Sequence, residues 1–305
     1  MEYGITRLVL GCQQFIELRR DEYVAAKRAK TCLVTALSIE EKLDLLLENY
    51  AELDLELQTL TTRHYLFQNH DWSSFRNDAH TINRRLANLL SAGRLYIDQT
   101  RHNISELFGP ASDQLKALDQ AFAEQYDAHL GYRVLEALRN HVQHRSLPVH
   151  TLTYKAVRDD RGEVTLVKHI CIPSLSVSWI EEQGNFKGEI LQELKRGSNL
   201  IDLRPLVRQY LASLGQVHVG LRERMSEAIA AWDAQLESIK ARFHDTYGDH
   251  VAGLAVVIKD EQGVVKESSY IVEDLVIRRK YLEKKNHSMA HLRAHYTSTE
   301  PTSDG

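Results

Sequence analysis

Apolar residues recur every three or four positions over several long stretches of the chain, as they do along one face of an α-helix. This spacing predicts helices over about 43–60, 72–103, 112–126 and 200–247, and the run 19–30 also reads as a helix. The first of the long helices is expected to begin at Ser38-Ile39-Glu40-Glu41, which has the sequence of a capping box. The pattern therefore favours a mainly α-helical protein with long helices.

Two later segments have the pattern of paired strands: the first alternates between polar and apolar residues with a period of two, and the second begins with a short apolar run before a turn. One covers 150–170 with a charged turn at 158–162, and the other covers 253–272 with a charged turn at 260–263. Each turn contains a glycine, so each segment is predicted to be a β-hairpin. The two hairpins could pair with each other in one small sheet.

These elements predict a bundle of long helices with two inserted or appended β-hairpins. The expected segments are a first helical part over 1–148, a hairpin and loop insertion over 149–189, a long helix over 190–248, a C-terminal hairpin and basic segment over 249–285, and a polar tail over 286–305. The first helical part and the long helix would form the bundle. The polar tail is expected to lack stable structure because it has little apolar surface to bury.

The segment near 132–146 carries the most informative chemistry. Its apolar stripe consists of Val134, Leu135, Leu138 and Val142. Its other face carries Glu136, Arg139, Asn140 and His144. At about 100° per residue, Glu136, Asn140 and His144 lie above one another, and Arg139 lies beside Asn140. A carboxylate, a guanidinium, an amide and an imidazole are thus expected on one face of one helix.

This set of groups can support RNA cleavage without a metal. That reaction needs a base for the 2′-hydroxyl proton, an acid for the leaving 5′-oxygen and a cation for the charge that grows on the phosphate. His144 can take either proton role, since histidine titrates near neutral pH, and Arg139 can bind two phosphate oxygens. Asn140 could hold the phosphate or orient His144, and Glu136 could fix the guanidinium of Arg139. One helix supplies one such histidine, so a symmetric dimer would supply the second.

Arg139, Asn140 and His144 also resemble the R-x(4–6)-H motif of the HEPN superfamily, the higher eukaryote and prokaryote nucleotide-binding helical domains. The resemblance implies a helical bundle that forms a two-fold homodimer, in which both copies of the arginine and the histidine meet at the interface. It further implies a metal-independent endoribonuclease of a toxin or antiviral system. RNA would be the substrate, and an antitoxin or another regulatory protein would be a further partner.

The net charge, the cysteines and the absence of several motifs argue against some classes of function. A net charge of −4 and a pI near 6.4 argue against a general nucleic-acid coat, so any RNA contact must be local. Three separated cysteines favour a reducing, cytoplasmic compartment, and no run of apolar residues is long enough to predict a membrane span. The chain lacks the phosphate-binding, dinucleotide-binding, zinc-protease and serine-hydrolase motifs. No cofactor and no metal are therefore expected.

Two other readings of the same residues stay open. The polar face of the 132–146 helix can be a solvated ladder of ion pairs on a noncatalytic helical module, which dimerises or binds a protein or nucleic-acid partner. Alternatively, the long 200–247 helix can mediate assembly of a structural protein. The nuclease reading requires Arg139 and His144 for cleavage, whereas the structural reading requires the long helix.

Overall fold

The protein is mainly helical, as the spacing of its apolar residues predicts. The computed structural model describes residues 1–67, 71–144, 147–161, 164–184, 186–248, 252–271, 274–287, 289–295 and 297. The helices are α1 (Arg20–Phe67), α2 (Trp72–Phe108), α3 (Asp113–Ala128), α4 (Leu130–His144), α5 (Val177–Gln183), α6 (Gly188–Leu194), α7 (Leu203–Tyr247) and α8 (Asp274–Lys285). About 69% of the chain is helical.

The strands form antiparallel sheets. Both predicted hairpins are confirmed, but they do not pair with each other. They are β1 (Glu2–Arg7), β2 (Phe15–Leu18), β3 (Thr151–Arg161), β4 (Val164–Ser176), β5 (Leu200–Asp202), β6 (Leu254–Lys259) and β7 (Val265–Tyr270). One sheet has the order β2-β1-β6-β7 and another has the order β3-β4-β5. The expectation that the two hairpins share one sheet is wrong, because β6 pairs with β1 and β4 pairs with β5.

The two hairpin turns differ in how well the sequence placed them. Around the second turn, Gly263 has a φ of 78°, and the Asp260 carboxylate accepts hydrogen bonds from the backbone N–H groups of Gln262 and Val264. These are the roles that glycine and aspartate usually play in a tight turn. The first turn was placed too early, because β3 continues through Arg161. Residues 162 and 163 lie outside the described part of the chain.

Helix α1 is longer than its sequence signals indicated. It runs without interruption from Arg20 to Phe67, so the predicted start at Ser38 and Glu41 is wrong. Glu40 in the middle of that motif is buried and pairs with Arg222 of α7: Arg222 Nε donates to Oε1 at 2.9 Å and Nη2 donates to Oε2 at 2.6 Å. A local capping sequence thus lies inside a continuous helix.

The residues group into two compact units, each built from distant parts of the sequence. The first unit comprises Met1–Glu41, His102–Ser112 and Leu221–His287, and the second comprises Lys42–Arg101, Asp113–Gly220 and Ser288–Gly305. Neither unit follows the linear segments expected from the sequence. The cause is that α1, α2 and α7 each contribute residues to both units.

In the first unit, the four-stranded sheet shares a hydrophobic core with the N-terminal part of α1 and the C-terminal part of α7. The core contains Ile5, Leu18, Tyr23, Ala26, Ala29, Leu33, Leu236, Ile239, Phe243, Leu254, Val256 and Ile271. Four consecutive residues of β6, Leu254–Val257, are buried, so both faces of this strand are covered, which explains why β6 reads as a nearly continuous apolar run. The N-terminal strands β1 and β2 complete the sheet.

The C-terminal residues are more ordered than the polar composition suggested. Asn286 is buried, and Met289–Ala294 form a 3₁₀-helix. The prediction that 286–305 lack stable structure is therefore wrong for Asn286 and for Met289–Ala294. Residues 298–305 lie outside the described part of the chain.

Gly93 in α2 marks a close approach to α7 in the second unit. A Cβ atom at this position would lie 2.5 Å from Oη and 2.8 Å from Cε1 of the buried Tyr210. Such distances are shorter than van der Waals contact, so a side chain would force the ring or the helix to move. The glycine is needed for space and not for an unusual φ.

We expect Gly93→Ala to lower the free energy of unfolding by about 1–3 kcal/mol, the usual cost of overpacking. Urea denaturation followed by circular dichroism measures the change. Gly188→Ala is the matched control, because a Cβ atom there has no neighbour within 4 Å. Equal stabilities for the two variants would show that Gly93 does not limit this packing.

Candidate functional site

Helix α4 buries the apolar stripe that the sequence predicted. Its apolar stripe is buried, with Val134, Leu135 and Leu138 each 0% exposed. Asn140 is exposed on the other side, and Arg139 is partly buried. His144 is the last residue of the helix, but its side chain lies outside the described part of the chain.

Arg139 and Asn140 form a directly connected pair. Nη1 of Arg139 donates a hydrogen bond to Oδ1 of Asn140 at 3.0 Å. Nε of Arg139 is buried and has no hydrogen-bond partner among the described residues. A guanidinium has five N–H donors in a planar fork, and a buried donor without a partner is uncommon. Because Nε itself is buried, the N–H groups that can meet an oxyanion are those of the two Nη nitrogens.

Glu136 contacts other residues than the one predicted for it. Its Oε1 accepts a hydrogen bond from the Tyr210 hydroxyl at 2.9 Å, and its Oε2 lies 3.5 Å from Nη1 of Arg94. Burial, reinforced by the Glu136 carboxylate, raises the pKa of Tyr210 well above its ordinary value, so the phenol stays protonated and donates. The expectation that Glu136 fixes Arg139 is therefore wrong. Glu136 instead contacts Tyr210 of α7 and Arg94 of α2. Because those partners come from other helices, the α4 sequence alone could not reveal them.

Behind the polar face lies a group of aromatic side chains that the sequence analysis missed. His141, the residue after Asn140, is buried and meets Trp179 of α5 edge to face, with ring centroids 5.2 Å apart. The His150 ring lies 4.0 Å from the same indole, and its Nδ1 accepts a hydrogen bond from the Ser176 backbone N–H at 3.0 Å. This group holds the residues after α4 against α5. No periodicity marks it, because its members come from three separate segments.

His150 is expected to make the protein less stable in acid. Burial, followed in size by the nearby His141, lowers the pKa of His150 from 6.5 to about 4. The folded state thus favours the neutral ring. Its stabilising contribution is complete above the unfolded pKa of 6.5 and is lost as the pH falls towards 4.

The free energy of unfolding of wild type should fall between about pH 7 and about pH 5, and we expect His150→Asn to make this fall smaller by roughly 1 kcal/mol. This figure allows for the partial exposure of the ring. Asparagine keeps an acceptor for the Ser176 N–H but does not titrate. Urea unfolding of both proteins at the two pH values measures the difference. Identical pH profiles would contradict the assignment of this effect to His150.

The basic C-terminal segment is only partly available for a ligand. In α8, Arg279 is buried, with its guanidinium Nη2 2.5 Å from Asp233 and Nη1 3.0 Å from Glu283. Lys280, Lys284 and Lys285 remain on the exposed side. Arg279 therefore stabilises the first unit instead of supplying free positive charge.

Metal-binding clusters and membrane-spanning helices are not found among the described residues. Within the described residues, no three metal-binding side chains come together. None of the described helices has the length and apolar character that crossing a bilayer requires. Comparison with known protein families, curated proteins and solved structures gave no match. Assignment of a function therefore depends on the chemistry of the residues themselves.

Proposed function

We propose that this protein is a metal-independent endoribonuclease of the HEPN type. The observation that carries the proposal is the Arg139–Asn140 pair, in which a guanidinium lies beside an exposed amide and its buried Nε has no hydrogen-bond partner among the described residues. His144 follows Asn140 by four residues, which is one helical turn. Arg139, the cation that the reaction needs, thus lies beside a polar amide, and His144, which would perform one proton transfer, is on the same helix.

The reaction is an internal transfer of the phosphate ester. The 2′-oxygen forms a bond to phosphorus, and the bond between phosphorus and the 5′-oxygen breaks. The base takes the 2′-hydroxyl proton, the acid gives a proton to the leaving 5′-oxygen, and a 2′,3′-cyclic phosphate results. Arg139 stabilises the charge on the phosphate oxygens, and Asn140 positions the phosphate or the imidazole. His144 performs one proton transfer.

The second proton transfer requires another histidine, which we assign to His144 of a second copy. A two-fold homodimer brings the same residues of both chains to one cleft by symmetry. The biological setting that follows from the resemblance is a toxin or antiviral system in the cytoplasm, with an antitoxin or other regulatory protein as partner. In this setting the enzyme must be silent until it is triggered.

Incubation of the purified protein with labelled RNA in excess EDTA tests the proposal. We expect cleavage to continue without divalent metal and to yield fragments that end in a 2′,3′-cyclic phosphate. Loss of all cleavage on chelation, or products that lack the cyclic end, would contradict the mechanism.

A noncatalytic helical module for dimerisation or binding is the alternative function. One observation favours it: the Glu136 carboxylate is used in contacts with Tyr210 and Arg94, as in a structural helix. This alternative predicts that the protein forms dimers or binds its partner but leaves RNA intact. The same EDTA experiment, combined with measurement of the oligomeric state, separates the two.

A further inference from the structure

In the second unit, a cavity of about 200 Å³ lies between the C-terminal turns of α1 and the β3–β4 hairpin. Its walls include His64 and Tyr65 from the helix, and Tyr154, Lys155 and His169 from the hairpin. A cavity of about 150 Å³ is enough to hold a benzene molecule in an engineered protein. This cavity therefore has room for one flat ring system.

The lining of the cavity contains four aromatic rings and one cationic side chain. The rings of His64 and Tyr154 stack with centroids 3.9 Å apart and planes 7° apart, and those of Tyr65 and His169 lie 5.1 Å apart. The Tyr154 hydroxyl donates to Asp78 at 2.6 Å, which fixes the position of this ring. Aromatic faces attract other flat rings, and imidazole and phenol groups add hydrogen-bonding edges. Lys155 adds positive charge.

The surface at the adjoining helix ends has a similar composition. Phe67 at the end of α1 is 66% exposed, and Trp72 at the start of α2 is 73% exposed. The Arg63 guanidinium lies 5.7 Å from the centre of the Phe67 ring. Large exposed aromatic side chains next to cations are characteristic of surfaces on which unpaired bases stack. The feature thus extends beyond the cavity itself.

We propose that this cavity receives an unpaired base of a single-stranded RNA and that Lys155 attracts the adjoining phosphate. This inference rests on the proposed function for the identity of the ligand. A flat ring with polar edges and a linked negative charge matches the rings and the lysine better than an apolar side chain of a protein does. The cavity would select RNA in which at least one base is free of pairing.

The strand that lines the cavity is linked through Trp179 to the helix that carries Arg139. His150, just before β3, and His141 of α4 both contact Trp179. His141 is two residues after Arg139. Tyr154 is four residues farther along β3, a distance of about 14 Å in an extended strand. A base held in the cavity would thus be bound by the strand that follows α4, the helix that carries Arg139.

The test compares a cavity variant with a matched surface variant in the full-length protein. The cavity variant is Tyr65→Ala combined with Lys155→Ala, and the control is Tyr270→Ala combined with Lys266→Ala on β7. Tyr65 is 44% exposed and Tyr270 is 45% exposed, so the two changes remove similar surface groups. The ligand is a short fluorescent RNA whose 2′-hydroxyls are methylated, which prevents cleavage, and fluorescence anisotropy measures its Kd. Circular dichroism verifies that both variants are folded.

We expect the cavity variant to bind single-stranded RNA at least about 10-fold more weakly than wild type, because stacking of one base contributes about 1–3 kcal/mol. The control variant should bind like wild type, and the two variants should not differ on fully paired RNA. Equal affinities of the cavity variant and wild type would overturn the inference while leaving the nuclease proposal intact. Cavity-dependent binding without cleavage of unmodified RNA would support the inference and refute the nuclease. Absence of RNA binding by wild type would overturn the inference. Binding of a protein by the cavity residues, without binding of RNA, would overturn it as well.

Discussion

RNA cleavage is expected to fall by about 10²–10³-fold when Arg139 is replaced by alanine, because the phosphate loses the cation that stabilises its developing charge. His144→Ala should lower the rate by about 10²–10⁴-fold through loss of a proton transfer. The measurement is the single-turnover rate of cleavage of a labelled RNA in EDTA. The effect of Arg139→Ala should appear in the rate of the chemical step at saturating protein, and only secondarily in RNA affinity.

Arg224→Ala provides the control for the loss of an arginine, because Arg224 is exposed on α7 and belongs to the first unit. This variant should cleave like wild type. Size-exclusion chromatography and circular dichroism should show that Arg139→Ala and His144→Ala keep the oligomeric state and the helical content. Undiminished cleavage by both variants would remove the catalytic assignment of Arg139 and His144.

Much of the fold follows from local patterns because its elements are long. Over the 37 residues of α2, apolar positions recur for about ten turns, and Ile82, Leu86 and Leu89 of that stripe are all at most 2% exposed. The hairpins were also predictable, since each joins strands that are neighbours in the sequence, and the turn at 260–263 has the residues expected of it. The partners of these hairpins were not, because β1 pairs with β6 across some 250 residues. Neither strand carries a local mark of that pairing.

The start of α1 shows how a local signal can fail. Ser38 and Glu41 match a capping box, yet the chain has no glycine or proline between Gly11 and Gly93. Without such a residue nothing forces the helix to begin at Ser38, and the residues before it have good helix propensity. The continuous helix buries Ala26, Ala29 and Leu33 in the first unit. Tertiary packing therefore decided where the helix starts.

The candidate site was predictable only where it depends on a single helix. The common face of Arg139 and Asn140 follows from helical geometry, and their hydrogen bond at 3.0 Å agrees with it. The contacts of Glu136 depend on Tyr210 and Arg94, which are 74 and 42 residues away. The cavity between α1 and the β3–β4 hairpin likewise joins residues about 90–100 positions apart in the sequence. Such contacts require the fold and cannot be read from spacing.

The second large effect concerns stability, and it is expected when Glu40 is replaced by alanine. Glu40 holds Arg222 through two hydrogen bonds, and the two side chains are only 6% and 22% exposed. Removal of the carboxylate leaves a guanidinium that is largely buried and without this partner. We expect a loss of about 3 kcal/mol in the free energy of unfolding, as measured by urea denaturation. The surface variant Glu52→Ala, which breaks a pair with Arg85, should cost less than about 1 kcal/mol.

A double replacement distinguishes two contributions to the free energy of unfolding: the cost of burying the Arg222 guanidinium without Glu40, and the stabilisation that the ion pair itself provides. Glu40→Met combined with Arg222→Met removes both charges and fills similar space, so it should recover most of the stability that Glu40→Ala loses. If the double variant is as unstable as Glu40→Ala, the ion pair itself stabilises the first unit. If Glu40→Ala costs no more than Glu52→Ala, solvent reaches Arg222 and the pair is not effectively buried. The expected recovery would mean that this pair specifies how α1 and α7 pack more than it adds to stability.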